Sequence, residues 1–205
     1  VHPQNRTACQ GNNASFSISA SGTNLSYQWQ KNGVDIPGET GTTLEFIGVA
    51  AADAGIYRCV ITGTCGSAIS NGASLTVNEP LTITVQPVAS IEKCEGDNLN
   101  INVQATGTGL NYQWRFNGTD MVDGGNISGS TTNSLSVTTI SASATGIYTC
   151  YISGTCGSQS SDLSDVTVHP STTVTQHPVG YTAVDGGNAT FSVTAEGNNL
   201  TYQWE

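Results

Sequence analysis

Six cysteines, three histidines and a short run of carboxylates are the residues of this 205-residue chain equipped for chemistry. The cysteines fall as Cys9, Cys59 and Cys65, then Cys94, Cys150 and Cys156. Thiols can pair as disulfides, hold a soft metal or attack a carbonyl. A metal needs several donors close together. His2, His169 and His177 each precede a proline, and none has a Cys or His partner nearby in sequence, so they read as junction residues. Glu92, Glu95 and Asp97 cluster as a calcium site would require, but the alternating-carboxylate loop is absent. No G-x-S-x-G elbow, nucleotide-binding glycine loop or His-bearing catalytic motif occurs. The chain is expected to be no enzyme, with no cofactor and no bound metal.

Composition narrows the partners. Five Lys+Arg stand against fifteen Asp+Glu, a formal net charge of −10. So few cations give no electrostatic footprint for nucleic acid or anionic lipid. No apolar run approaches the roughly 20 residues of a membrane span, so no direct membrane insertion is expected. Val1-His2-Pro3-Gln4 has neither Met nor a basic-then-apolar leader, which puts any targeting segment outside these residues. Six cysteines in a weakly charged, Thr/Ser/Asn-rich chain point to an oxidising, extracellular or cell-surface setting.

An internal repeat organises these residues. Leu25-Ser26-Tyr27-Gln28-Trp29 returns at Leu110–Trp114 and at Leu200–Trp204, shifted by 85 and then 90 residues. Gly55-Ile56-Tyr57-Arg58-Cys59 and Gly63-Thr64-Cys65-Gly66-Ser67 both return 91 residues later, ending at Cys150 and Ser158. Cys9 and Cys94 each precede their tryptophan by twenty residues, where the third copy has Val184. The domains read as 1–79, 80–169 and a partial third, 170–205, holding its first strands only. Either that third copy continues beyond these residues or another subunit completes it; the first is favoured. Thr7, Gln10 and Asn12, in the place of the carboxylate cluster, carry no charge, which argues against calcium.

The elements that position these residues are strands. Phe16-x-Ile18-x-Ala20, Ile101-x-Val103-x-Ala105 and Phe191-x-Val193-x-Ala195 alternate apolar with polar, as half-buried antiparallel strands do. Further short apolar runs include Leu44–Phe46, Tyr57–Ile61 and Leu75–Val77. Turns such as Asn32-Gly33 separate them, and no stretch shows helical spacing. Seven or so strands in 80–90 residues predict a two-sheet sandwich. The single Trp of each repeat predicts a packed core over a lined cavity.

Asp53-Ala54-Gly55-Ile56-Tyr57-Arg58-Cys59 resembles the D-x-G-x-Y-x-C signature of an immunoglobulin F strand, with Ala144 replacing Asp53 in the second copy. Gly11, Phe16, Ile18 and Trp29 fall where that family has its A′–B turn, B strand and strand-C tryptophan. The chain is most similar to the tandem immunoglobulin-like domains of bacterial, notably Bacteroidota, surface and secreted proteins. The resemblance implies an all-β fold of immunoglobulin-like β-sandwiches arranged head to tail. Trp29, Trp114 and Trp204 would be core residues, and Tyr57 and Tyr148 would make tyrosine corners. The B-strand positions are Ile18, Val103 and Val193, so the family's B–F disulfide cannot form, and Cys59 and Cys150 are expected as buried thiols. In the family's register Cys9 lies at one end of the sandwich and Cys65 at the other. A strand of eight residues spans about 26 Å, while a disulfide needs Cα atoms within about 7 Å. The resemblance therefore implies an inter-domain bond, Cys9 to Cys156. Cys94 and Cys65 would seek equivalent partners in a following and a preceding repeat. Free thiols, a Cys59–Cys65 link and bonds between chains stay open as alternatives.

Lys31 follows Trp29 by two, where a core Lys could form an isopeptide bond, but Phe116 stands there in the second copy. It reads as a stem lying along the sheet edge. Seven Asn-x-Ser/Thr triplets, at Asn5, Asn13, Asn24, Asn117, Asn126, Asn188 and Asn199, are expected as polar loop residues. The function expected is an extracellular structural or adhesive repeat module of a larger bacterial surface protein or filament. Its partners would be neighbouring domains, copies of the same protein, surface glycans or other cells. Spacer or carbohydrate-binding domains of a secreted hydrolase are the alternative.

Overall fold

The computed structural model describes residues 1–205. In the first repeat the strands are β1 (Arg6–Cys9), β2 (Ala14–Ser17), β3 (Ser26–Lys31), β4 (Val34–Asp35), β5 (Thr43–Phe46), β6 (Gly55–Gly63), β7 (Gly66–Ile69) and β8 (Ala73–Asn78). One sheet runs β1-β8-β6-β3-β4, with β7 also on β6; β2 and β5 form the second. The apolar residues of both sheets point inward: Phe16 and Leu44 from one, Trp29, Tyr57, Cys59 and Leu75 from the other. Asn32-Gly33 joins β3 to β4 with φ of 52° and 87°, the left-handed pair that a two-residue hairpin needs. Asn117-Gly118 does the same in the second copy with φ of 48° and 81°.

The second repeat holds β9 (Thr82–Val85), β10 (Ser90–Cys94), β11 (Leu99–Asn102), β12 (Gln104–Thr106), β13 (Asn111–Phe116), β14 (Thr119–Asp120), β15 (Ile127–Ser128), β16 (Ser134–Val137), β17 (Gly146–Gly154), β18 (Gly157–Ser160) and β19 (Ser164–His169). Its larger sheet, β10-β19-β17-β13-β14 with β18 on β17, matches the first copy strand for strand. The smaller sheet gains a strand, β11-β16-β15, and β9 pairs with β12. In both copies the leading strand runs parallel to the last, β1 on β8 and β10 on β19. Sequence alternation does not report that pairing, because it shows which face is buried and not which neighbour lies alongside.

By contact the chain forms two compact units. The first is 1–82 together with the turn segments 106–110 and 153–158; the second is 83–105, 111–152 and 159–205. In the third copy β20 (Thr173–Gln176) pairs antiparallel with β21 (Thr194–Glu196). The expectation of a core Trp204 is corrected here. Its side chain is 53% exposed and Phe191 is 51% exposed. Among 170–205 only β20 and β21 pair, and no second sheet lies over the ring as β2 and β5 lie over Trp29.

Candidate functional site

The polar frame around each core is built the same way twice. The indole N–H of Trp29 donates to the Gly41 carbonyl at 2.9 Å, and that of Trp114 to the Thr132 carbonyl at 2.9 Å. Tyr57 Oη donates to the Asp53 carbonyl at 2.6 Å, and Tyr148 Oη to that of Ala144 at 2.9 Å. These are the corner bonds that pin the approach to the long β6 and β17 strands. Burial pushes both phenols up to about 12, with the Asp53 charge adding to the effect at Tyr57.

Cys59 and Cys150 are buried free thiols. Each backbone N–H donates a hydrogen bond to a buried serine oxygen, Ser70 Oγ or Ser161 Oγ, at 2.9 Å. Burial raises both thiols, Cys150 to about 11, so neither offers a thiolate near neutral pH.

Cys9 and Cys156 are joined by a disulfide, with Cα atoms 5.7 Å apart and a sequence separation of 147. Cys9 ends β1, in register with Asn78 of β8. Cys156 sits in the turn between β17 and β18, within the segment 153–158 of the first unit. Its Sγ lies 3.8 Å from the Asn78 carbonyl oxygen. Hydrogen bonds surround the bond. Glu79 N–H donates to Thr108 Oγ1 at 2.9 Å, Thr108 N–H returns to the Glu79 carbonyl at 3.1 Å, and Thr155 N–H donates to the Thr108 carbonyl at 2.9 Å. The bond between the end of β1 and this turn thus stands among backbone groups that are already paired. Cys65 and Cys94, the other two disulfide candidates, are exposed free thiols.

No three His, Cys, Asp or Glu side chains converge as a metal site would need. The carboxylates near the start of the second repeat serve the backbone instead. Glu95 Oε1 accepts from Ala142 N–H at 3.0 Å and Asp97 Oδ2 from Cys94 N–H at 3.0 Å. Glu92 lies 3.6 Å from His169 Nε2, and His2 Nδ1 accepts from Asn71 N–H. Lys31 Nζ donates to the Ala52 carbonyl and lies 5.8 Å from the Tyr57 ring centroid, so its stem runs over the core edge. Five triplet asparagines bridge segments well separated in sequence. Asn5, Asn13 and Asn117 accept backbone N–H groups, Asn24 donates to Thr64 and Asn126 to the Thr138 carbonyl. No helix is long and apolar enough to cross a membrane.

Sequence reasoning missed one of these frame elements. In the first repeat Asp53 Oδ2 accepts the Ala50 N–H at 2.8 Å, closing the short 3₁₀ turn Ala51–Asp53. Ala144 cannot do this, and the Glu95 contact to Ala142 satisfies the matching turn from 47 residues away. The only signal in sequence is that Asp53 is lost where Glu95 appears in place of Gln10.

No protein-family model matches the chain. It is 27% identical over 198 residues to neuroglian of Drosophila melanogaster, which is 92% of this chain and 15% of neuroglian. The chain therefore spans about a seventh of that relative's length. The I-band fragment I67–I69 of titin is similar in structure, with a TM-score of 0.70 and 20% identity, covering 86% of this chain and 67% of that one. The insect immune protein hemolin gives a TM-score of 0.57 and 20% identity over 82% of this chain and 46% of its own. The chain folds as tandem immunoglobulin-like β-sandwiches.

Proposed function

We propose that this chain is an extracellular structural and adhesive module, a run of immunoglobulin-like repeats that projects or joins material outside the cell. One observation carries the reading: the Cys9–Cys156 disulfide ties residues of consecutive repeats, with Glu79, Thr108 and Thr155 paired around it. A covalent tie of this kind suits a repeat array that must hold its length, and an oxidising location is where it persists. The polar frame repeated in both copies serves packing, and the module is proposed as non-enzymatic. Neighbouring repeats and copies of the same protein are the partners proposed; the solved structure of hemolin is described with implications for homophilic adhesion. The sequence motifs resemble bacterial surface repeats, whereas neuroglian and hemolin are insect proteins. The proposal is therefore of the module, with no source attached.

Beads coated with the oxidised chain test the adhesive half. Clumping that free chain competes away is expected. Beads that stay single at every coating density, with a chain that sediments as a monomer, would overturn it.

A further inference from the structure

We infer that Asn71 is a site of covalent modification in the folded protein. It cyclises onto Gly72, loses ammonia and becomes a mixture of aspartate and isoaspartate, while the other two Asn-Gly pairs stay intact. This chemistry belongs to the first repeat and does not depend on adhesion.

The chain holds three Asn-Gly pairs, Asn32-Gly33, Asn71-Gly72 and Asn117-Gly118. Cyclisation needs the side-chain amide carbon brought against the next backbone nitrogen, and glycine leaves that nitrogen unshielded by a side chain. Residue order therefore treats the three alike, and the fold separates them.

Asn32 and Asn117 are clamped. Both are left-handed, with φ of 52° and 48°. Asn32 Oδ1 accepts the Ile56 N–H at 2.9 Å, and Asn117 Oδ1 accepts the Ile147 N–H at 2.9 Å. Their own backbone N–H groups donate to the carbonyls of the same two residues, each at 2.8 Å. Each amide also lies over a glycine of the long strand. A Cβ on Gly55 would stand 3.2 Å from Asn32 Oδ1, and one on Gly146 would stand 2.8 Å from Asn117 Oδ1. Such an amide must break its hydrogen bond before its carbon can turn toward the glycine nitrogen.

Asn71 has no such clamp. It is exposed in the turn between β7 and β8, and neither its side chain nor the Gly72 N–H makes a hydrogen bond. Only its backbone is tied. Its N–H donates to His2 Nδ1 at 3.2 Å, and its carbonyl accepts from Ser70 Oγ at 2.9 Å. The second repeat builds the same turn around Asp162, whose N–H donates to Gln86 Oε1 at 2.9 Å and whose carbonyl accepts from Ser161 Oγ at 2.8 Å. The second copy thus already carries the aspartate that the reaction installs in the first, and this turn accommodates it.

The step balances with water alone. Gly72 N gives up its proton to water and bonds to Asn71 Cγ, and the amide nitrogen leaves as ammonia. One water then opens the five-membered imide. Entry at Cγ restores the ordinary backbone with an aspartate. Entry at the main-chain carbonyl carbon leaves isoaspartate, whose chain runs through Cβ and Cγ and is one atom longer. That carbonyl is bonded by Ser70 Oγ, which also accepts the Cys59 N–H at 2.9 Å, so isoaspartate disturbs the buried frame where aspartate does not.

The folded 205-residue chain, held at mildly alkaline pH and followed by peptide mass mapping, tests this against the same chain in urea. In the folded chain the Asn71 peptide is expected to gain one mass unit and split into two species. It should do so about tenfold faster than the Asn32 and Asn117 peptides, the factor that one good hydrogen bond is worth. In urea the three rates should converge. An Asn71 that stays intact in the folded chain, or three pairs that convert there at one rate, overturns the proposal. Asn71→Asp, the direct product, should unfold at the same urea concentration as the parent, and isoaspartate chains at a lower one. An Asn71→Asp chain as weak as the isoaspartate form would overturn the match to Asp162.

Discussion

The core of the first repeat holds Trp29 beside a cluster of rings, Phe16, Phe46 and Tyr57, while the buried residues of the second besides Trp114, Tyr148 and Cys150 are mostly aliphatic. Phe16 lies 6.3 Å from Trp29, 5.1 Å from Tyr57 and 6.2 Å from Phe46, centroid to centroid. In the second copy Ile101 and Val137 replace Phe16 and Phe46, and all are buried or nearly so. The missing volume is partly returned at another position. Phe116, where the first copy has Lys31, puts its ring 4.9 Å from that of Tyr148. The hydrogen bonds of Trp, Tyr and the cysteine N–H are meanwhile the same in both. The contrast separates two demands. Apolar filling needs the right volume and tolerates different shapes, but a buried polar group left unpaired costs about 1–3 kcal/mol and so holds its partner.

The comparison can be broken most directly at the tryptophans. Trp29→Ala and Trp114→Ala are each expected to cost about 3–5 kcal/mol in urea unfolding, because each leaves a cavity and strips a carbonyl of its donor. Similar losses at both sites would place the weight on the shared frame. A Trp114 loss far below that of Trp29 would move it to the aromatic neighbours. Reduction of Cys9–Cys156 is expected to cost about 2–4 kcal/mol. Hydrogen exchange should locate that loss at β1 and β8 and leave β11 and β16 unchanged; an even loss across all four would contradict the assignment of the bond to the first unit.

The corners can be compared by base titration. Both phenols are raised in the folded protein to about 12, above an unfolded value near 10, with burial as the main cause. Below pH 10 both states hold the proton and stability is intact; it falls between about pH 10 and 12, as the unfolded chain ionises first. Tyr57→Phe and Tyr148→Phe should each flatten that decline in urea midpoints measured against pH. The smallest effect is expected from exchanging the edge residues. Phe116→Lys should cost about 1 kcal/mol through loss of its ring pair, and Lys31→Phe should change stability by under about 0.5 kcal/mol. Equal and opposite shifts would mean that the two edges are interchangeable and that the cores differ less than their rings suggest.

Much of this was legible from residue order, and what was not has a common cause. The repeats, the strands around Phe16 and Ile101, the turn at Asn32-Gly33 and the core positions of Trp29 and Trp114 are local patterns, written by alternation and by φ preference. The substitution of Glu95 for Asp53 was not legible, since its two ends lie 47 residues apart and only the fold brings them within hydrogen-bonding distance. Nor was the surface position of Trp204, because a tryptophan in a strand pattern becomes a core residue only when a second layer covers it.

By itself, then, the sequence determined that this is a repeated, strand-built chain with little charge and three cysteines in each full copy. Those properties follow from residue type and short-range periodicity. Tertiary structure decided which neighbours the strands take, with β1 parallel to β8, and which thiols meet. Residue order left Cys9 with several possible partners. Its Cα stands 5.7 Å from that of Cys156 because β1 ends beside Asn78 and the β17–β18 turn lies against the same carbonyl. A disulfide is a matter of distance, and distance across 147 residues is set by packing.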